Sequence, residues 1–500
     1  MSNIDIVSSF HENVIEKIKS EKCNSKGKNL RVLLLTIPFS IPAGAAIMPQ
    51  RLFYGLLRKG VDAKVITHWW DCGFEPLVRY SVISKEDYRT FFRTRDLNGN
   101  RLAEVKSWKI VKTNEGLKKI PAKIKVLVSR KSLIETSREV VKEVCDYLLD
   151  TQFKPDIVHI HTHTFMYDGT LHDILQLLGN PPVVYTLHAV IKRISKERER
   201  AQRETVKTSN GLITISEGWK KAVEKLYGRS CAYIHNATDY FLYTCDKDVE
   251  RRAKELYNIL NPERGRLLLF SGRIEEIKVE GLPKAFSEIA EKWNVKLIIV
   301  GDAGGENSIK NLVRWGLKKE HLNRVIFVGW INGITESGRR EIAAYYKMLN
   351  LDNKINGALV MPVKTEDHYG LSVLDAIAMK APVITCKGKL ATYGCLPDPE
   401  SLVKAIEFVF SNPEKVREKV EKSYNVLKKE YSVDEYYVPK HLEFYYYIMD
   451  ERKKELKNKK KERIKKMIEL IRKRKEEKVR KLIRVIKIRK EGRLLINQNL

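Results

Sequence analysis

Five hundred residues are more than one hydrophobic core serves, so two large domains with additions are expected. The net charge of +30 is concentrated: residues 451–493 hold 22 Lys/Arg against seven Glu, a net of +15 and half of the excess. The seven cysteines form no CxxC pair and no His/Cys ligand spacing, which argues against a structural zinc site, and no apolar run approaches the roughly 20 residues of a membrane-spanning helix. Reduced thiols in a cytoplasmic protein are expected.

In chain order, residues 1–29 read as a short amphipathic helix, with Val14 and Ile18 four apart, and a polar linker. Residues 30–37 (LRVLLLTI) form a nearly continuous apolar run, the pattern of a strand buried on both faces. A small-residue loop at 38–49 carries Gly44, and Leu52, Leu56 and Leu57 place a helix after it. With a second strand at 61–67, this is the start of a doubly wound α/β domain. No GxGxxG fingerprint accompanies it, so a nicotinamide or flavin cofactor has no support and no cofactor is expected.

Residues 69–130, with Trp69, Trp70, Tyr80, Phe91, Phe92 and Trp108 among basic residues, read as an insertion or hairpin in the first domain. A helix resumes at 132–149, and the strand at 155–161 (PDIVHIH) ends in His159 and His161, with His163 beyond. Alternate spacing puts these imidazoles on one face of an extended chain. They could converge on a metal, but no carboxylate or fourth ligand accompanies them, and no metal site is expected. A strand at 183–188 (VVYTLH) ends in His188; a Lys/Arg-rich helix at 192–207 and a strand-to-helix unit at 211–216 follow, and 231–239 (CAYIHNATD) closes the first domain.

The second domain opens with the strand 266–272 (RLLLFSG), whose end carries Gly272, Arg273 and, five residues on, Lys278. Glycine permits close approach and the two cations suit an anion, although charges at a strand end are usually solvated. Strands at 297–301 and 325–329 and a helix at 340–349 lead to the most informative stretch, 358–385 (ALVMPVKTEDHYGLSVLDAIAMKAPVIT). It reads as strand, acidic loop, helix and strand, the helix starting at Gly370 and Leu371 with its N-terminus toward the loop. Unpaired N–H groups there suit a phosphate. Asp367 and Asp375, eight residues apart, are suited to accept hydrogen bonds from sugar hydroxyls. The same pair also fits an acidic N-cap and one solvated helix aspartate.

This stretch resembles the nucleotide-binding motif of the retaining GT-B glycosyltransferases of family 4, the glycogen-synthase-like glycosyl transferases group 1. That motif has two glutamates eight apart, an aromatic-Gly pair after the first and a PVI tail. Asp367 and Asp375 replace the glutamates, Tyr369-Gly370 and Pro382-Val383-Ile384 are kept, and Lys380 stands where glycine is usual. The resemblance extends over roughly 30–68 and 150–447. It implies two Rossmann-like domains facing a cleft, with Arg273 and Lys278 on the donor diphosphate and the backbone of Gly370 and Leu371 assisting. It further implies Asp375 at the nucleotide ribose, Asp367 at the donor sugar, Tyr369 among the donor-binding residues, Gly44 in a loop that approaches the donor, and His188 near the reacting sugar. The implied activity is metal-independent, hexosyltransferase-type transfer with retention, by front-face displacement without a protein nucleophile. Departures are Ala237 for a family glycine and a compressed loop after Thr385 that keeps only Gly388 and Gly394.

The expected layout is 1–29, N-terminal helix and linker; 30–236, acceptor domain; 237–430, donor domain, with a linker near 237–262; 431–450, helices crossing back; and 451–500, a basic tail. In the tail, Ile464, Met467, Ile468, Ile471, Val479, Leu482 and Ile486 recur at spacings of three and four among Lys, Arg and Glu. It reads as a solvated helix or as an amphipathic helix on an anionic membrane surface, which would make the protein peripheral on the inner face. Nucleic acid is set aside as a partner because no reader fold accompanies the charge. The partners expected are a nucleotide-diphosphate sugar and a glycan, lipid-linked or small-molecule acceptor. The second reading is a catalytically weakened GT-B subunit for binding or assembly, tethered by its basic tail to membrane or nucleic acid.

Overall fold

The computed structural model describes residues 30–37, 44–71, 75–85, 88–92, 102–113, 116–127, 130–166, 169–188, 196–272, 274–279, 281–301, 304–333, 335–363, 370–386 and 390–497. The helix expected at 1–29 lies outside them. The chain divides into two units, residues 1–445 and 446–500.

The larger unit begins with β1 (Arg31–Thr36), α1 (Gly44–Arg58), β2 (Asp62–Asp71), β3 (Glu75–Ile83), β4 (Tyr88–Phe92), β5 (Leu102–Thr113) and β6 (Gly116–Leu127). Then come α2 (Arg130–Asp150), β7 (Ile157–Ile160), α3 (Thr170–Leu177), β8 (Val183–Leu187), α4 (Lys196–Thr208), β9 (Gly211–Thr214), α5 (Glu217–Tyr227) and β10 (Ala232–Tyr233). The sheet order is β10-β9-β8-β7-β1-β2-β3-β4, parallel from β10 to β2. Its central strands β1, β7 and β8 are mostly apolar and buried: Leu33 and Leu35 pack with α2 and α3 residues such as Val144 and Ile174.

The stretch at 69–130, expected as an insertion or hairpin, holds an extension of the main sheet, β3 antiparallel to β2 and β4 antiparallel to β3, and a separate hairpin of β5 and β6. One expectation is corrected here. The first helix begins at Gly44, before Pro49 rather than after it. Proline inside a helix removes one backbone hydrogen bond, but Ala46, Met48 and Pro49 are all buried, and packing holds the turn helical.

The second domain contains α6 (Lys247–Leu260), β11 (Arg266–Ser271), α7 (Glu276–Val279), α8 (Leu282–Lys292), β12 (Val295–Val300), α9 (Glu306–Arg314), β13 (Val325–Gly329) and α10 (Glu336–Lys347). A small β14–β15 pair (Asn350–Leu351, Lys354–Ile355) precedes β16 (Gly357–Met361), α11 (Leu371–Ala378), β17 (Val383–Thr385), β18 (Tyr393–Gly394), α12 (Pro399–Ser411) and α13 (Pro413–Glu430). Its sheet, β13-β12-β11-β16-β17-β18, is parallel throughout. The linker expected near 237–262 is shorter than that. Tyr240, Tyr243, Val249, Ala253 and Leu256 belong to this domain's core, so α6 is part of the domain.

The chain passes between the domains twice, side by side. Thr238 N–H donates to Tyr431 O at 2.8 Å, and Val433 N–H donates to Thr238 O at 3.1 Å. A π-helical turn, Val433–Tyr437, then leads into α14 (Val438–Asn497), whose start lies against the first domain. Gly55 of α1 permits this: a Cβ there would sit 2.5 Å from Val438 Cγ2 and 2.9 Å from Val433 Cγ1. The Arg58 Nε–H donates to Asp434 Oδ1 at 2.9 Å beside it.

In the smaller unit α14 continues as a helix. Its side chains Ile464, Met467, Ile468, Ile471, Val479 and Leu482 are 48–63% exposed. Among the described residues no helix is long and apolar enough to cross a membrane.

Candidate active site

Open parallel sheets bind ligands beyond the carboxyl ends of their strands, where the strand order reverses. In the first sheet the order reverses between β7 and β1, in the second between β11 and β16. Beyond these four strand ends come His161, Gly44, Gly272 and Gly370. The two reversal points meet: a Cβ added to Gly44 would lie 3.8 Å from Leu371 Cδ1. Ser372 Oγ donates to Ser271 O at 3.0 Å, which holds the start of α11 against the end of β11 beside Gly272. Gly301, at φ 110°, closes the same edge, where a Cβ would lie 2.8 Å from Gly272 O.

Both helix N-termini at this meeting point, α1 and α11, lack an acidic residue in their first turn. Their partial positive charge is not matched from within the helix, a setting that suits an anion. Lys278, on α7 just after β11, is part-exposed and pairs with Glu275 at 3.0 Å. Arg273, Asp367 and Tyr369 lie outside the described residues. The structure therefore brings Gly44, Gly272, Gly370 and Leu371 together and leaves Lys278 paired at the surface.

Asp375, expected at the nucleotide ribose, is 6% exposed and lies one turn after Leu371. Arg51 Nη2 donates to both of its carboxylate oxygens at 2.9 Å, and Thr238 Oγ1 donates to Oδ1 at 2.6 Å. Arg51 Nη1 donates to Ala237 O at 2.6 Å, and its Nε lies 3.3 Å from Asp239 Oδ1. Asp239 also accepts from Arg339 of α10. Sequence reasoning passed over Arg51, Thr238 and Arg339. Arg51 left one trace, a cation in a helix otherwise flanked by Leu52, Phe53, Leu56 and Leu57.

The expected histidines form a buried group. His159 lies between Tyr445 Oη (2.6 Å from Nδ1) and Thr186 Oγ1 (2.8 Å from Nε2). His161 Nδ1 is 3.1 Å from His188 Nε2. His441 of α14 donates from Nδ1 to Tyr437 O at 2.7 Å, which fixes its tautomer when neutral. Burial lowers all four, His188 and His441 to about 4, and at His159, His161 and His441 neighbouring imidazoles add to the effect. His163 stands apart, lowered to about 4 by burial and by Arg198. Among the described residues no three His, Cys, Asp or Glu side chains converge as metal ligands.

Residues 141–240 match the family described as Glycosyltransferase Family 4, and residues 265–412 the family described as Glycosyl transferases group 1. No curated protein matches the chain by sequence. Among solved structures, a glycosyltransferase from Rickettsia africae is 15% identical over 84% of this chain and 99% of its own, with a TM-score of 0.55. The catalytic domain of starch synthase IV from Arabidopsis thaliana, bound to ADP and acarbose, is 13% identical over 85% of this chain and 100% of its own, with a TM-score of 0.54. Anabaena HepE, in complex with UDP-glucose, is 15% identical over 83% of this chain and 100% of its own, with a TM-score of 0.52. These likenesses carry the fold, two Rossmann-like domains in the GT-B arrangement. The two family matches fall on the two domains in chain order, and together with the fold they support a GT-B glycosyltransferase.

Proposed function

We propose that the chain transfers a hexosyl group from a nucleotide-diphosphate sugar to a glycan, lipid-linked or small-molecule acceptor, with retention and without a catalytic metal. The observation that carries this reading is the meeting of the two reversal points at Gly44 and Leu371. Two uncompensated helix N-termini there suit a diphosphate. In this reading Arg273 and Lys278 hold the diphosphate, Lys278 leaving Glu275 to do so, with the N–H groups of Gly370 and Leu371. They oppose the charge that builds on the leaving group. Asp367 and Tyr369 face the sugar, and His188 lies at the acceptor side. The bond from the anomeric carbon to the diphosphate breaks, the acceptor oxygen bonds that carbon on the same face, and its proton passes to the departing phosphate oxygen. Asp375 enters only as the partner of Arg51.

The tail supports a lipid-linked acceptor: a cationic helix with a half-exposed apolar stripe suits an anionic membrane surface. A panel of UDP-, GDP-, ADP- and dTDP-sugars tests the donor reading, by released nucleotide and by melting temperature. One donor that both stabilises the chain and is consumed supports an enzyme. Stabilisation without release favours the second reading, a weakened binding or assembly subunit, which the compressed loop after Thr385 motivates. Silence across the panel rejects the donor site.

A further inference from the structure

Arg51 and Gly44 lie seven residues apart on α1, and Asp375 and Leu371 lie four apart on α11, so each pair shares one helix face. The two helices therefore meet twice. At one end Leu371 sits against Gly44; one to two turns further on, the Arg51 guanidinium grips the Asp375 carboxylate with two 2.9 Å bonds. Two contacts fix an orientation where one would leave a pivot. The same guanidinium holds the interdomain crossing through Ala237 O and Asp239, and Asp239 passes the link to Arg339 on α10. Tyr240 and Tyr243 lie beside the cations, Tyr240 5.6 Å from the Arg51 guanidinium carbon and 5.2 Å from that of Arg339.

A buried ion pair of this kind adds little net stability over apolar packing, so its retention needs another account. Arg51, itself on α1, reaches both the crossing and α11. From this geometry we infer that Arg51 is a positioning residue of the transfer reaction: through Asp375 it fixes the start of α11 on the donor domain against the start of α1 on the acceptor domain. Asp375 then serves the junction between domains. Its shorter side chain, compared with a glutamate, keeps the carboxylate back on the helix where Arg51 and Thr238 reach it. The inference rests on the transfer reading for its consequence and on the geometry alone for its cause.

The test uses the full chain and two variants. Arg51→Lys keeps the charge, but its single nitrogen cannot reach Asp375, Ala237 O and Asp239 at once as Nη2, Nη1 and Nε do. Arg51→Met combined with Asp375→Leu removes both charges, so that neither is left buried alone and the chain still folds. Three quantities are read: binding of the nucleoside diphosphate of the donor found in the panel, kcat and KM for transfer, and hydrogen exchange over residues 44–58 and 371–378. The expected result is nucleotide affinity within about twofold of the parent and a kcat lower by on the order of 10²-fold, the scale of a misplaced reactant. Exchange should rise in both segments, with Arg51→Lys between the parent and the double variant. A raised donor KM at unchanged kcat would assign the pair to donor binding, and unchanged kinetics with unchanged exchange would make it a plain fold contact; either outcome overturns the inference. Should the parent turn over no donor, the transfer reading has failed, and the exchange comparison alone decides whether Arg51 ties the two helices.

Discussion

Around Arg51 two aspartates are buried to a similar degree, and their carboxyl groups move in opposite directions. At Asp239 burial by itself would push the group up, but Arg339 and Arg51 outweigh it and hold it down at about 2. At Asp375 burial is again the largest influence, and here it prevails over Arg51 and Thr238, so the group is raised. The difference lies in the count of cations: Asp239 has two guanidinium groups and Asp375 has one. Asp239→Asn should therefore destabilise the chain by about 3–5 kcal/mol, since it strands the Arg339 charge. Asp375→Asn keeps an oxygen for Thr238 and Arg51 and should cost only about 1–2 kcal/mol. Urea unfolding at pH 7 ranks them, and the reverse ranking would refute the assignment of charge balance to Asp239. The acid limb of the parent should carry the same signature: the Asp239 contribution is complete above its ordinary 3.8 and is lost as the pH falls toward about 2.

At the scale of elements, the ends of β7 and β8 and the start of α14 are joined by imidazoles rather than by aliphatic packing. His159, His161, His188 and His441 are neutral in the fold, because burial lowers each of them. An unfolded histidine takes up its proton near 6.5, so stability that is complete above that value is lost as the pH falls toward the lowered folded values. For His188 and His441, which fall to about 4, each contribution is roughly 3 kcal/mol. The midpoint of urea unfolding should drop steeply between pH 6.5 and 4.5. His441→Asn leaves a donor for Tyr437 O and removes one titrating ring, so its slope with pH should be shallower by about one proton; an identical slope would remove His441 from this account. These elements also show what the sequence discloses. The strands 30–37, 183–188 and 266–272 were legible because burial on both faces leaves a nearly unbroken apolar run. The three histidines near 159–163 were visible as a pattern, but His441, which joins them, comes from a helix 282 residues after His159, and no local spacing announces such a meeting. The same holds for Arg51 and Asp375, and the start of α1 was hidden by Pro49, whose local preference lost to burial. Gly272 and the start of α11 at Leu371 were legible because glycine and helix-start signals are local, whereas Gly44 was read as a loop glycine.

At the scale of the whole molecule, the tail has its own arithmetic. Ile464, Ile468, Ile471, Lys475, Val479 and Leu482 are spaced by four, three, four, four and three, an eleven-residue repeat in which 464, 468 and 471 recur as 475, 479 and 482. A seven-residue repeat falls roughly 20° short of two turns and favours a left-handed supercoil, whereas eleven residues overshoot three turns by roughly 20°, a smaller drift per residue and of the opposite hand. The stripe therefore keeps to one face for about five turns. Lys475 within it can extend its amine past the stripe while its stem stays apolar. A straight apolar face flanked by cations lies well on a flat anionic surface, and it makes a poor seam for a paired coil, where Lys475 would be buried against its equivalent. The full chain should accordingly bind vesicles containing phosphatidylserine and pass over neutral phosphatidylcholine vesicles. Raising salt from 0.1 M to 1 M shortens the screening length from about 10 Å to about 3 Å and should weaken that binding. Removal of residues 451–500 should abolish vesicle binding and leave the cooperative unfolding of the larger unit in place, since that unit ends at Tyr445. Substituting Ile468 and Leu482 together by Ser separates the apolar stripe from the charge: loss of vesicle binding with net charge unchanged would show that the stripe inserts. Retention of binding by that double variant, with equal affinity for double-stranded DNA, would instead make the tail a plain polycation and end the membrane assignment.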